Sequence, residues 1–303
     1  MKPIFIEKNS GFSIITEKDP YILGFSEFDL QSRLGTSAQV SLVDLLNFLP
    51  HQCLDWKPQE INKIELIFQR LNKAYDSYKK YIFNEIPLIK TSGAEESNAA
   101  YTRGKHIYIP NEMIQWNTYD LTLLISHELF HIISTHNPEF RKNWYAKLGF
   151  IACPDLSVPK EYKKLSVSNP DTIGKNCYLE IKDKGDSLKA VPFLFSTRPY
   201  QGGYFFRYFR FSYLACEIET DKCVPIFQKK ALKFIEPPPT LYDLCEEIEP
   251  YENQHRLHPE EILAYYWSTM SILKSELPPF LKNYYSKIYA ILENQKDFDI
   301  FND

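Results

Sequence analysis

The stretch LTLLISHELFHIISTHNPEF, residues 121–140, holds His127-Glu128-Leu129-Phe130-His131 inside an otherwise apolar run. That run predicts a buried helix over 118–136, closely followed by Pro138. Four residues make about 1.1 turns of an α-helix, so His127 and His131 stand one above the other on one face. Two imidazoles so placed can each direct a nitrogen to one zinc ion at about 2.0–2.1 Å. Glu128, rotated by about 100°, can reach a water on that ion without ligating it. Two histidines and a carboxylate on a buried helix are costly unless something pairs them, and hydrogen-bonded core histidines are the plainer alternative.

Upstream, Ile61, Ile64, Phe68, Leu71, Tyr75, Tyr78 and Ile82 recur every three or four residues and predict an amphipathic helix over 60–83. A short helix is expected over 42–49. Residues 87–97 read as strand and loop, and 99–110 as a turn and then a strand. Downstream, Pro138 opens a helix over 138–148 that Gly149 ends. From 151 to 240, Pro, Asn and Gly break the chain into short pieces. VPFLFS (191–196) and GGYFFRYFRFSYLACEIE (202–219) are strand-like around Gly202-Gly203, so an antiparallel hairpin or small sheet is expected. The alternation of aromatics with Arg in 204–211 reads as a strand with one packed and one solvated face. The Pro-rich bend at 236–239 marks a boundary, and helices are expected over 259–275 and 278–295.

A zinc site with an open position needs a third protein ligand. His136 lies about 140° round the helix from His131 and faces elsewhere. The metzincin arrangement is excluded, because Asn137 and Ser134 stand where its third His and its Gly belong. The stronger candidate is in HRLHPEEILAYYWSTM, 255–270. His258 reads as the cap of a helix that Pro259 opens, with Glu260 and Glu261 in its first turn. Acids there also favour a helix N-terminus with no further role. The stripe Glu261, Ala264, Tyr265, Ser268 is expected to face the histidine helix, and Glu260 to face outward or bond locally.

HELFH followed by the distant Glu261-Ile262-Leu263-Ala264 resembles the gluzincin zinc metallopeptidases, whose third ligand is a Glu on a second helix. The CAAX-prenyl endopeptidases among them carry that acid in E-x-x-A-D, and here Tyr265 replaces the Asp. AAYTRGKHIYIP (99–110), residues 126–150, SNPD (168–171) and HPEEILA (258–264) also look like a group of little-characterised bacterial gluzincin-like proteins. The composition, rich in Lys, Asn, Ile and Tyr, resembles secreted effectors of intracellular bacteria.

The resemblance implies an α+β fold: a zincin-like catalytic core with an active-site helix, a small antiparallel sheet, an inserted β-rich segment and C-terminal helices. It implies a single metallopeptidase domain over 1–303. Residues 151–240 would be an insertion shaping the cleft, and 241–303 a helical part supplying the third ligand. Zn²⁺ would be held by His127, His131 and Glu261, and peptide bonds of a protein or peptide substrate cut by a zinc-activated water with Glu128 as general base. The oxyanion donor stays open among Tyr251, His255, His258, Tyr265 and Tyr266, with His258 and Tyr251 favoured. The strand containing Lys105–Ile109 resembles the edge strand on which gluzincins lay extended substrate. A peptidase-fold binding protein without catalysis and a zinc hydrolase of a non-peptide amide are the alternatives.

The 303 residues, 44% hydrophobic and 24% charged, exclude wholesale disorder. A net charge of −4 gives no global basic field to recruit nucleic acid. No run is apolar enough for a membrane span, and the first residues do not read as a signal peptide. A cytoplasmic location, or translocation into a host cell without a classical signal peptide, is therefore expected. The six cysteines (53, 153, 177, 216, 223, 245) include no C-x-x-C pair and read as reduced thiols, not a zinc ribbon. Oligomeric state is left open.

Overall fold

The computed structural model describes residues 1–183, 186–236, 241, 258–272, 277 and 279–293. The chain opens with strand β1 (Lys2–Phe5) and helices α1 (Lys8–Ile15), α2 (Pro20–Leu23), α3 (Glu27–Arg33) and α4 (Leu42–Phe48). After β2 (Cys53–Leu54) come α5 (Pro58–Ala74), β3 (Glu85–Thr91), β4 (Tyr101–Arg103), β5 (His106–Pro110), α6 (Asn111–Ile114), α7 (Thr118–His136) and α8 (Pro138–Lys147). A β-rich part follows, with β6 (Ile151–Ala152), β7 (Cys177–Asp183), β8 (Asp186–Ser196), β9 (Phe209–Ile218) and β10 (Cys223–Pro225). Two further helices, Pro259–Met270 and Pro279–Glu293, follow; the first is called the acid helix below. The architecture is α+β.

Two larger sheets and a two-stranded ribbon of Phe227–Gln228 with Ala231–Leu232 hold the strands of the described residues. The first is ordered β1-β3-β5-β4, with β2 also on β3. It is mixed rather than antiparallel: β1, β3 and β5 run parallel, and β4 and β2 run antiparallel to their neighbours. The parallel pairs have a reason in sequence. β3 reads EIPLIKT and is buried at six of its seven positions, as a strand covered on both faces must be. The strand with Lys105–Ile109 is therefore not the edge; it is β5, paired on both sides, and the edge is β4. The second sheet, β10-β9-β8-β7-β6, is antiparallel as expected of 151–240. Gly202 and Gly203, both at positive φ, lie in the long β8–β9 connection rather than in a tight turn. That connection takes up Phe205–Tyr208 of the aromatic run as a 3-10 turn, and only Phe209 onward is strand.

The helix expected over 60–83 ends at Ala74, and Asp76–Tyr81 continues as a 3-10 turn. Asp, Ser and Tyr are weak helix formers. The change of pitch also brings both Tyr75 and Tyr78 onto Trp267 of the acid helix, with ring centroids 4.5 and 4.7 Å away. The Tyr75 hydroxyl donates to the Trp267 carbonyl at 2.8 Å and also meets the Ser126 hydroxyl of α7. Trp267 is fully buried at this junction, with Phe130 of α7 at 5.9 Å. Trp267→Ala is expected to destabilise the protein by about 3–5 kcal/mol through the cavity it leaves. Denaturant unfolding checks it, and a midpoint shift worth less than ~1 kcal/mol would mean that the two helices do not depend on this contact.

The helices expected over 118–136 and 138–148 are α7 and α8. Asn117 caps α7 by accepting from the Asp120 N–H, and Gly149, at φ 84°, turns the chain out of α8. Among the described residues, no helix is long and apolar enough to cross a membrane. Residues 237–240 of the Pro-rich bend and most of 241–257 lie outside the described residues.

Candidate metal centre

Helix α7 presents His127 and His131 on one face, their ring centroids 4.7 Å apart. The acid helix packs against α7, with Ile262, Leu263 and Ala264 buried in the shared core. It brings Glu261 Oε2 to 3.3 Å from His127 Nε2 and 4.0 Å from His131 Nε2. Ligand atoms around a tetrahedral zinc ion sit about 3.3 Å apart, given metal–ligand bonds of about 2.0–2.1 Å. The three donor atoms lie within 4.8 Å of one another.

The fit to a metal rests on one atom. His131 Nε2 is buried with no hydrogen-bond partner. The other ring nitrogen, Nδ1, sits 2.9 Å from Glu260 Oε1. A carboxylate there accepts the Nδ1 proton and fixes the tautomer with a bare lone pair on Nε2. A buried, unpaired imidazole lone pair aimed at a second imidazole and a carboxylate fits a zinc-class cation.

Glu260 corrects the sequence reading: it does not face outward. It is fully buried, and its Oε1 accepts from His131 and from Lys175 Nζ at 2.6 Å. Its Oε2 accepts from Ser134 Oγ at 2.7 Å and Tyr145 OH at 2.5 Å. Burial works against its ionisation, but Lys175 and His131 hold the carboxyl down at about 2. The expectation assumed one packed neighbour for the helix start. In fact that first turn is wedged between α7, α8 and the segment carrying Lys175, so adjacent acids about 100° apart both find buried partners. Glu260 thus sits at the Nδ1 side of His131, the position from which a carboxylate orients a metal-binding imidazole.

Glu128 is buried beside the pair. Its Oε2 accepts from Thr102 Oγ1 of β4 at 2.8 Å. Burial pushes its carboxyl up to about 7 in the metal-free protein, against the pull of His131 and the Thr102 hydrogen bond. Asp171, whose carboxyl burial and then Glu128 and Glu261 push up, accepts from the Thr102 N–H at 2.9 Å. Asn169 donates from Nδ2 to Glu261 Oε1 at 3.2 Å. The loop holding these two is clamped from α3: Asp29 accepts from Ser168 N at 3.0 Å, and Arg33 donates to the Ser168 carbonyl at 3.0 Å. The SNPD run, with Pro170 between two short polar side chains, was the sequence trace of this loop; nothing there pointed to α3. Asn169→Ala is expected to weaken metal binding about tenfold while leaving the fold intact. Competition with a chromophoric chelator measures it, and unchanged affinity would remove Asn169 from the site.

The remaining sequence candidates separate. His258 caps the acid helix, its Nδ1 accepting from the Glu260 N–H at 3.1 Å, and burial lowers its pKa to about 4. Its ring is spent on the helix end and does not line the cleft. Tyr266 is buried and stacks on Tyr285. Tyr265 lines the cleft with its ring 4.7 Å from that of His127. Tyr251 and His255 lie outside the described residues. The cleft over the site has a volume of about 730 Å³. His127, Glu128 and Glu261 form its base, residues 97–101 leading into β4 form one wall, and Trp116, Tyr204, Phe205 and Phe206 line it elsewhere. The part played by Tyr204–Phe206 was hidden in the sequence, where the run reads as plain strand. Comparison with protein-family models, with curated proteins and with solved structures gives no match for this chain.

Proposed function

We propose that the chain is a zinc-dependent metallopeptidase of gluzincin type that hydrolyses peptide bonds of a protein or peptide substrate. The carrying observation is the unpaired, buried His131 Nε2 facing His127 Nε2 and Glu261 Oε2. His127, His131 and Glu261 would hold the ion. When bound, zinc would supply Lewis-acid activation of a water and of the scissile carbonyl. Glu128 takes the proton of the attacking water at a carboxylate oxygen and returns it to the leaving amine. Thr102 holds one of its oxygens, leaving the other to face the base of the cleft. Glu260 and Lys175 keep His131 in one tautomer and orientation. Tyr265, beside His127 on the cleft wall, is better situated than His258 to donate to the oxyanion. An effector role, acting in the cytoplasm of a producing or a host cell, is compatible with this reading.

The test is elemental analysis of metal-replete protein with a peptide-library digest in the presence and absence of chelator. One zinc per chain and chelator-sensitive cleavage are expected. Zinc without cleavage favours a binding protein or a hydrolase of non-peptide amides, and absence of stoichiometric zinc ends the proposal.

A further inference from the structure

Away from the metal centre, the antiparallel sheet gathers three cysteines that the sequence scatters. Cys216 of β9 and Cys223 of β10 are buried in one apolar cluster with Val191, Phe193 and Leu214, and half-buried Cys153 packs against it. The Cys223 thiol neighbours both of the others. Cys177 belongs to the central core instead. The chain after β6 runs over β10: Leu156 bridges to Cys223, and the Ser157 N–H donates to the Cys223 carbonyl at 2.9 Å. That crossing is what brings Cys153 to Cys223. The trio is not among the candidate metal groups of the described residues, which all lie at the histidine helix.

The two possible pairings differ. Cys223 stands opposite Ile218, so Cys216 is its diagonal neighbour on the same face of the sheet. Diagonal residues of an antiparallel pair have Cα atoms about 7–8 Å apart. A disulfide spans about 4.4–6.8 Å, and the ladder resists closing that gap. Cys153 lies outside the β9–β10 ladder, its N–H donating to the Asn176 carbonyl at 3.1 Å just past the two-residue strand β6, so its approach to Cys223 is not set by that ladder's spacing. Cys153 is also the more accessible of the three.

We infer that Cys153 and Cys223 form an oxidisable thiol pair that a peroxide converts to a disulfide, with Cys216 as a buried neighbour. The peroxide O–O bond breaks as the Cys153 sulfur takes one oxygen, giving a sulfenic acid and water. The Cys223 sulfur then attacks the Cys153 sulfur. The S–S bond forms, the S–O bond breaks, and the departing hydroxide leaves as water with the proton that Cys223 gave up. Two thiols and one peroxide become one disulfide and two waters.

The experiment uses the full chain, reduced and then freed of reductant, with hydrogen peroxide as the probe. Remaining thiols are alkylated and the digest is mapped without reduction. The expected result is loss of two free thiols, a cross-linked peptide joining Cys153 to Cys223, and full reversal by dithiothreitol. Cys53 and Cys177 stay alkylatable after denaturation. Cys153→Ser abolishes the cross-link, and Cys216→Ser keeps it. Because Cys153 is only half-buried, its serine variant tests the pairing even if a Cys223 variant fails to fold. A Cys216–Cys223 link, a link to Cys245, or Cys153 oxidised to the sulfinic acid with no link would each overturn the inference. None of these readouts depends on zinc or on hydrolysis.

Discussion

Glu260→Ala is expected to destabilise the metal-free protein by about 3–5 kcal/mol, the cost of leaving a buried charge without its partner. Lys175, with only a few per cent of its surface exposed, loses its carboxylate, and the Ser134 and Tyr145 hydroxyls lose their acceptor. The same substitution frees His131 to adopt the wrong tautomer, so zinc affinity falls by about 10–100-fold in whatever fraction remains folded. Glu261→Ala behaves in the opposite way. It removes a donor atom, so zinc is lost, while the Lys175–Glu260 pair stays intact and the fold is largely kept. Urea unfolding of metal-free protein, paired with chelator competition on each variant, separates the two. A Glu260 variant as stable as wild type with undiminished zinc affinity would sink the positioning role. Zinc retained by the Glu261 variant would remove Glu261 as ligand.

Glu128→Gln is expected to keep zinc and stability while lowering kcat by about 10²–10⁴-fold. The carboxamide is nearly isosteric and can still bond to Thr102, but it cannot take a proton from water. The loss should appear in kcat with KM little changed, because the group acts on the reacting atoms and not on substrate binding. The measurement is steady-state cleavage of a peptide identified by the library digest. Undiminished turnover would refute the general-base assignment, whatever the metal content.

The pattern of what could be read in the sequence follows from the range of the interactions. His127 and His131 meet within one helix turn, so their spacing alone puts them together. The limits of α7 and α8 are equally local, set by Asn117, Pro138 and Gly149. Glu261 required a second helix and was reached through its apolar stripe. Glu260 was misassigned because its partners come from three separate places, Ser134, Tyr145 and Lys175, and none of them is visible from residue 260. Thr102, Asn169 and Asp171 were missed for the same reason. The position of β5 inside its sheet was hidden too, since an alternating strand beside a hairpin looks the same whether or not β3 covers its far side. The cysteine cluster is the extreme case: no spacing rule connects 153, 216 and 223, and a crossing segment alone joins the first to the others.

His131 and Glu260 are 129 positions apart in the chain. Closing so long a loop costs entropy that no local contact repays in advance. The histidine pair and Glu128 are made early during synthesis, whereas the two acids that complete and orient the site emerge more than a hundred residues later. At about 5–20 residues per second, that is an interval of several seconds or more. Throughout it, Lys175 lacks the Glu260 carboxylate and the histidines lack Glu261, their proposed third ligand. A chain ending before residue 258 lacks both acids, so the proposed metal site is completed only when the acid helix docks, after the rest of the site has been made.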